Sequence, residues 1–268
     1  MPVFAKENAA DALTLGNALA GFLAMTYVAD HRFTAAALCV FLAVLFDGLD
    51  GYAARRFGSR GERGRIADAF ADAISFCLAP ALFLYALVYD PTRGSAWVDP
   101  QNAGAVVVST LVAALGLLRL MRFAEADYAT ERFLGLPTPA NAIFLVSLAL
   151  LFGPTANGFR WNLIVEAPVV VLAGALASSL LMVSEIPYPK VSESFRLFAA
   201  VGSAITVGLV VPAVFLGGLG RECTLGLAGC PLIELPLFAA AVGIMLAYIV
   251  GGPWYVRVGS RQELVSVQ

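Results

Sequence analysis

Apolar residues fill this chain in long blocks, and short polar or helix-breaking steps separate each block from the next. The steps are Asp30-His31-Arg32, Asp90-Pro91, Gly135-Leu136-Pro137, Pro187-Tyr188-Pro189 and Gly217-Gly218, residue types that stop helices and form turns. Between them the pattern predicts helices at about 12–29, 34–57, 65–89, 103–126, 137–153, 163–183, 196–217 and 231–251. Most approach or exceed the ~20 residues that cross a bilayer. Each is apolar around most of its circumference, as a helix in lipid or in a bundle interior must be. Pro137 and Pro139 shorten the fifth. Residues 1–11, with Lys6, Glu7 and Asp11, read as a polar surface segment ahead of the first span. No small-residue cleavage site follows that span, so it is expected to stay in the membrane and not to act as a signal peptide. The expectation is an all-α integral membrane protein, a polytopic bundle of about eight transmembrane helices forming a single domain over 1–268.

Composition and charge narrow this. Hydrophobic residues make up 60% of the chain and charged residues 13%, which excludes an ordinary soluble enzyme. The net charge of −2 gives no reason to expect a nucleic-acid partner. With the amino terminus inside and eight spans alternating, only Arg32, Arg93, Arg160 and Arg221 fall outside, against the other thirteen of seventeen Lys and Arg. By the positive-inside rule the loop joining the second and third spans then faces the cytoplasm of a multi-pass cell-membrane protein. Cys39 and Cys77 lie within spans as core residues, while Cys223 and Cys230 share one loop. A disulfide between the latter two stays open, provided that the loop faces an oxidising side.

The stretch from Phe46 to Phe76 interrupts the apolar pattern with Asp47, Asp50, Asp68 and Asp72. Each Asp at the centre of a span costs roughly 2.5–3.5 kcal/mol on insertion scales, so something positive is expected among them. Residues three or four apart share a helix face. Asp47, Asp50, Gly51 and Ala54 therefore share a face of the second helix, and Gly64, Asp68 and Asp72 a face of the third. The short loop makes the two helices antiparallel neighbours. Their carboxylates can converge about 12 Å or less from the loop, at ~1.5 Å per residue. Oxygen ligands with no His or Cys among them suit Mg²⁺ or Mn²⁺ and not zinc, and a pair of such ions is one way to handle a phosphoryl group. Gly51, Ala54 and Gly64 either allow close helix packing or leave room for a flat ligand. Arg55 adds a charge suited to phosphate, whereas Arg56, Arg60 and Arg63 read as anchors on the positive side.

Taken together, Asp47-x2-Asp50-Gly51-x2-Ala54-Arg55-x8-Gly64-x3-Asp68-x3-Asp72 resembles the signature of the CDP-alcohol phosphotransferases at every fixed position. The resemblance implies an integral membrane enzyme, usually a homodimer. Its six-helix catalytic core would be residues 12–190, with 191–268 as additional helices and a cytoplasmic tail. It implies transfer of a phosphatidyl-type group from a CDP-linked lipid to an alcohol, with release of CMP. It further implies two divalent ions held by Asp47, Asp50, Asp68 and Asp72, with Asp72 as the base for the attacking hydroxyl. Gly51, Ala54, Arg55 and Gly64 would lie along the CDP moiety. A carboxylate beside a metal is a weak base. Asp72 thus either takes the proton as the transition state develops or orients the alcohol as a ligand.

The acceptor must be read from the flanks. Four stretches resemble the phosphatidylserine synthase branch: Leu13-Thr14-Leu15-Gly16-Asn17, then Ser75 to Ala81, then Leu118 to Phe123 with Gly135-Leu136-Pro137-Thr138-Pro139, then Leu181-Met182-Val183 with Tyr188-Pro189-Lys190. Cys77 departs from that branch, which more often has Gly there. L-serine needs a cation for its carboxylate, and an Arg fork fits one bidentately. Arg119 and Arg122, at the end of the fourth span, are the candidates, unless they simply snorkel to the interface. Thr14 and Asn17 share a face and either contact the nucleotide or bond between helices. Lys190 ranks below the two arginines, and His31 reads as an ordinary loop residue on the far side. The donor is CDP-diacylglycerol or CDP-archaeol. Rival acceptors are glycerol 3-phosphate and inositol phosphate, and an ion-coupled transporter is the rival of a different class.

Overall fold

The structure, a computed structural model, describes residues 2–57, 62–125, 133–153, 167–188 and 231–266. The described residues are all-α apart from one small ladder. Helix α1 runs Pro2–Ala29, α2 Phe33–Phe57, α3 Glu62–Asp72 and α4 Ala79–Val88, with a π-helical segment Ala73–Leu78 joining the last two. Then come α5 Pro100–Glu125, α6 Thr138–Phe152, α7 Pro168–Met182 and α8 Pro231–Ser266. Among the described residues five stretches are long and apolar enough to cross a membrane: Asp11–Ala29, Phe33–Asp50, Gly64–Val88, Pro100–Arg122 and Pro236–Val256. Helices α6 and α7 are shorter apolar helices; their fifteen residues span ~22 Å at ~1.5 Å per residue. The expected seventh span, 196–217, lies outside the described residues, as do Lys190, Cys223 and Cys230.

Three expectations need correction. The first predicted helix starts too late, because residues 2–11 are helical and continuous with it. Hydropathy marks where a chain meets lipid, and helix propensity carries the helix beyond that point. For the same reason α8 continues past 251 to Ser266, through Pro236 and Pro253. Third, the predicted helix over 65–89 is not uniform, because its middle widens into the π turn. Pro80 supplies the physical cause. It has no N–H to give the carbonyl four residues back, and its ring crowds that carbonyl. An extra residue in the preceding turn relieves both problems, and Ala79 N–H donates to Ile74 O, five residues back.

Small residues set the packing of the first two helices. Ala20 and Ala24 of α1 and Ala36, Ala37 and Ala43 of α2 are buried in the main core, which lets two backbones approach closely where no hydrophobic force drives them together. The core continues through Phe76, Phe83, Leu84, Val112, Leu145 and Val146. Phe238, Val242 and Met245 of α8 are also buried, the last two packing on Phe144 and Leu148 of α6. Thus α8 supports the core. On the outside, Leu15, Leu19, Phe22 and Leu23 of α1 and Val107, Leu111 and Leu118 of α5 are exposed, as lipid-facing positions should be.

With α3, the π segment and α4 forming one span, the chain reverses direction between successive spans from α1 to α7, so one end of the bundle gathers the amino half of α1, the carboxyl end of α2, the amino end of α3, the carboxyl end of α5, the amino end of α6 and the carboxyl end of α7. A two-residue antiparallel ladder, β1 Phe133–Leu134 with β2 Pro187–Tyr188, lies at that end. Gly135 follows β1 with φ +77, a left-handed conformation that favours glycine. A Cβ at Gly135 would collide with Met182 O and Ser184 O. At the opposite end Asn102, fully buried, closes the loop between α4 and α5. Its Nδ2 donates to Asp90 O and Gly94 O, and its Oδ1 accepts from Asp90 N. His31 lies at that end too, in the turn between α1 and α2 at φ 55.

Candidate active site

The end that gathers these helix ends holds the carboxylates. Asp47 and Asp50 stand three apart on α2 and Asp68 stands on α3. One oxygen from each of the three lies within 4.8 Å of the others. Asp50 is 1% exposed, and the other two are half-buried. At about 5 Å, two like charges repel by roughly 3 kcal/mol even at an effective dielectric constant of 20. Three ionised carboxylates so placed require a cation or a shared proton. An all-oxygen donor set from three Asp fits a hard divalent ion such as Mg²⁺ or Mn²⁺.

Asp72 stands outside that triad, one turn deeper on α3, and within electrostatic reach of Asp47, Asp68 and Asp50. Its Oδ1 accepts a 3.0 Å hydrogen bond from Asn17 Nδ2 of α1. Thr14, one turn away on the same helix, donates to Asp50 Oδ2 at 3.0 Å. Of the two roles open to Thr14 and Asn17, bonding between helices is the one these contacts display: α1 braces one carboxylate from each arm of the hairpin. The brace is itself fixed, because Ser75 Oγ of the π segment donates to Asn17 O at 2.8 Å. Asn17 is fully buried, and its Oδ1 has no partner among the described residues.

The remaining predicted residues divide by position. Gly51, Ala54 and Arg55 lie on α2 beyond Asp50, on the backbone that leads to the loop, and their side chains are outside the described residues. Gly64 is half-buried near the start of α3, one turn before Asp68. Arg119 and Arg122, predicted as a pair, have different surroundings. Arg119 is 8% exposed, donates from Nη1 to Thr138 Oγ1 at 3.2 Å, and lies within electrostatic reach of Asp72 and Tyr248. Arg122 is exposed and, among the described residues, reaches Val183 O at 3.4 Å. Burial separates Arg119 from a snorkelling arginine; Arg122 fits one.

Sequence reasoning passed over three polar residues at this end. Ser75 and Thr138 fell inside stretches used only for resemblance, yet each bonds a predicted site residue. Asn141 is fully buried in the first turns of α6. An amide inside the apolar run 138–152 was the available signal.

A sequence model of the family described as CDP-alcohol phosphatidyltransferase matches residues 7–183. The chain belongs to this family. It is similar to the archaetidylserine synthase of Methanothermobacter thermautotrophicus, 35% identical over 183 residues, covering 68% of this chain and 69% of that protein. It is also similar to two proteins named CDP-diacylglycerol–serine O-phosphatidyltransferase. The one from Methanocaldococcus jannaschii is 30% identical over 189 residues, 70% of this chain and 77% of the relative. The one from Bacillus subtilis is 30% identical over 179 residues, 66% and 87% respectively. As a CDP-alcohol phosphatidyltransferase the chain is a transferase, and its matched region takes in all of α2 to α7 and most of α1. Helix α8, which supports α6, lies beyond it.

Proposed function

We propose that this protein transfers a phosphatidyl or archaetidyl group from a CDP-linked lipid to the hydroxyl of L-serine, releasing CMP. The observation that carries the reading is the convergence of Asp47, Asp50 and Asp68 within 4.8 Å, with Asp72 tethered beside them. The names of the relatives support serine as acceptor and a CDP-lipid as donor.

Asp47, Asp50, Asp68 and Asp72 would hold two divalent ions, Mg²⁺ or Mn²⁺, which supply charge neutralisation on the diphosphate of the donor. Gly51, Ala54, Arg55 and Gly64 would serve the CDP moiety, the small residues by leaving room and the guanidinium by its fit to phosphate. Arg119 takes the serine carboxylate, with Arg122 nearer the surface. The serine hydroxyl attacks the lipid-bearing phosphorus, the bond to the CMP oxygen breaks, and CMP leaves as the anion. Asp72 accepts the hydroxyl proton or orients the oxygen that loses it. Asn17 fixes the Asp72 carboxylate for either role, since a base must be aimed before it can act. The site opens to the cytoplasm of the cell membrane, in one membrane domain that pairs as a homodimer.

An acceptor panel tests this. Purified protein in detergent, given CDP-diacylglycerol with Mg²⁺ or Mn²⁺, is expected to release CMP faster with L-serine than with glycerol 3-phosphate or inositol phosphate. Equal rates across the panel would overturn the assignment of serine.

A further inference from the structure

Asn141 is the most demanding polar group that the chemistry above leaves unused. It is 0% exposed, and both its Nδ2 and its Oδ1 lack a hydrogen-bond partner among the described residues. A buried amide left unpaired is costly and calls for an explanation. Its position supplies one. Asn141 lies three residues after Thr138, so the two share a face of α6. Helical side chains lean toward the amino end and cover the preceding turn. The amide therefore lies level with Thr138, whose hydroxyl accepts from Arg119.

Two further features converge there. Pro137 O already accepts from Asn141 N, while the Thr138 and Ala140 N–H groups ahead of it have no carbonyl within the helix to reach. The amino end of α6 thus attracts an anion. Helix α6 also packs on α2 and on the π segment that follows Asp72, and Arg119 is within electrostatic reach of Asp72. The guanidinium, and the helix end that it bonds, accordingly lie toward Asp72, with the amide on the same face of α6.

We infer that Asn141, with Arg119 and the amino end of α6, recognises the zwitterionic head of the acceptor amino acid, an inference that rests on the serine reading above. Arg119 and the helix end meet the carboxylate. The amide matches both charges: Nδ2 donates to the carboxylate and Oδ1 accepts from the ammonium. A purely cationic pocket would bind a carboxylate or a phosphate equally, whereas an amide beside it selects an α-amino acid.

The test is steady-state CMP release by wild type and Asn141→Ala with CDP-diacylglycerol, using L-serine, 3-hydroxypropionate (no ammonium) and ethanolamine (no carboxylate) as acceptors. Asn141→Ala is expected to raise KM for L-serine about tenfold or more while KM for CDP-diacylglycerol stays within about twofold. The preference for serine over 3-hydroxypropionate should narrow as well. Should the alanine variant not fold, Asn141→Asp keeps the shape and the ammonium acceptor but loses the carboxylate donor, and should move the preference from serine toward ethanolamine. An unchanged KM and unchanged preferences in a folded variant, or KM values for both substrates rising together, overturn the inference. A wild type with no serine preference overturns the serine reading, and the inference falls with it. A serine-dependent wild type with an insensitive Asn141 overturns the inference alone.

Discussion

Thr14 and Asn17 each hold a carboxylate that comes from another helix, Asp50 of α2 and Asp72 of α3. The spacing of the four Asp residues made the acidic cluster legible from the sequence, because three- and four-residue steps fix a helix face. Which residues would brace it was not legible, since a hydrogen bond between positions 17 and 72 depends on how α1 lies against the hairpin. Two substitutions separate the roles. Asp68→Asn removes a charge from the triad and is expected to lower turnover by at least about 10²-fold. It should also abolish the rise in Tm that MnCl₂ gives the wild type, because a ligand stabilises only what binds it. Asn17→Ala leaves the triad intact and frees Asp72. Its turnover should fall by about 10-fold or more while the Mn²⁺-dependent rise in Tm survives. Near-normal turnover in Asp68→Asn would refute the metal site, and near-normal turnover in Asn17→Ala would refute the brace.

The π segment Ala73–Leu78 shows what a span prediction misses. Its cause, Pro80, was visible in the sequence, but the effect appears upstream, in the turn that ends beside Asp72. The widened turn presents Ser75 to α1, where Gly21 receives it. A Cβ at position 21 would lie 2.7 Å from Ser75 Cα and 2.9 Å from Ser75 Cβ. Backbone cannot swing aside as a flexible side chain does, so Gly21→Ala must push α1 off the π segment. Overpacking of this kind costs about 1–3 kcal/mol. Thermal unfolding in detergent should therefore show a lower Tm for Gly21→Ala, and turnover should fall too, because the displaced helix carries Asn17. A variant as stable and as active as wild type would show that this contact does not position the site. Helices α2 and α6 were readable to within one residue at each end. The amino end of α1 and the carboxyl end of α8 were not, since a helix continues past its apolar stretch wherever local propensity allows.

Across the whole molecule, the alternation of helices puts the carboxylate centre and the loop that Asn102 closes at opposite ends, and only the distribution of Lys and Arg says which end is inside. That rule can be tested with two single cysteines. Trp97, in the loop between α4 and α5, is 92% exposed, and Arg65, at the amino end of α3, is exposed at the other end. Cys39 and Cys77 are buried and should stay silent, so a background in which Cys223 and Cys230 are replaced by serine gives a clean reading. In intact cells, a membrane-impermeant maleimide should label Trp97→Cys at once and Arg65→Cys only after permeabilisation. The proposed reaction uses a cytidine nucleotide donor, and the Lys and Arg bias predicts that the carboxylates open to the inner side. The reverse labelling pattern would place them outside and would leave the proposed reaction without its donor.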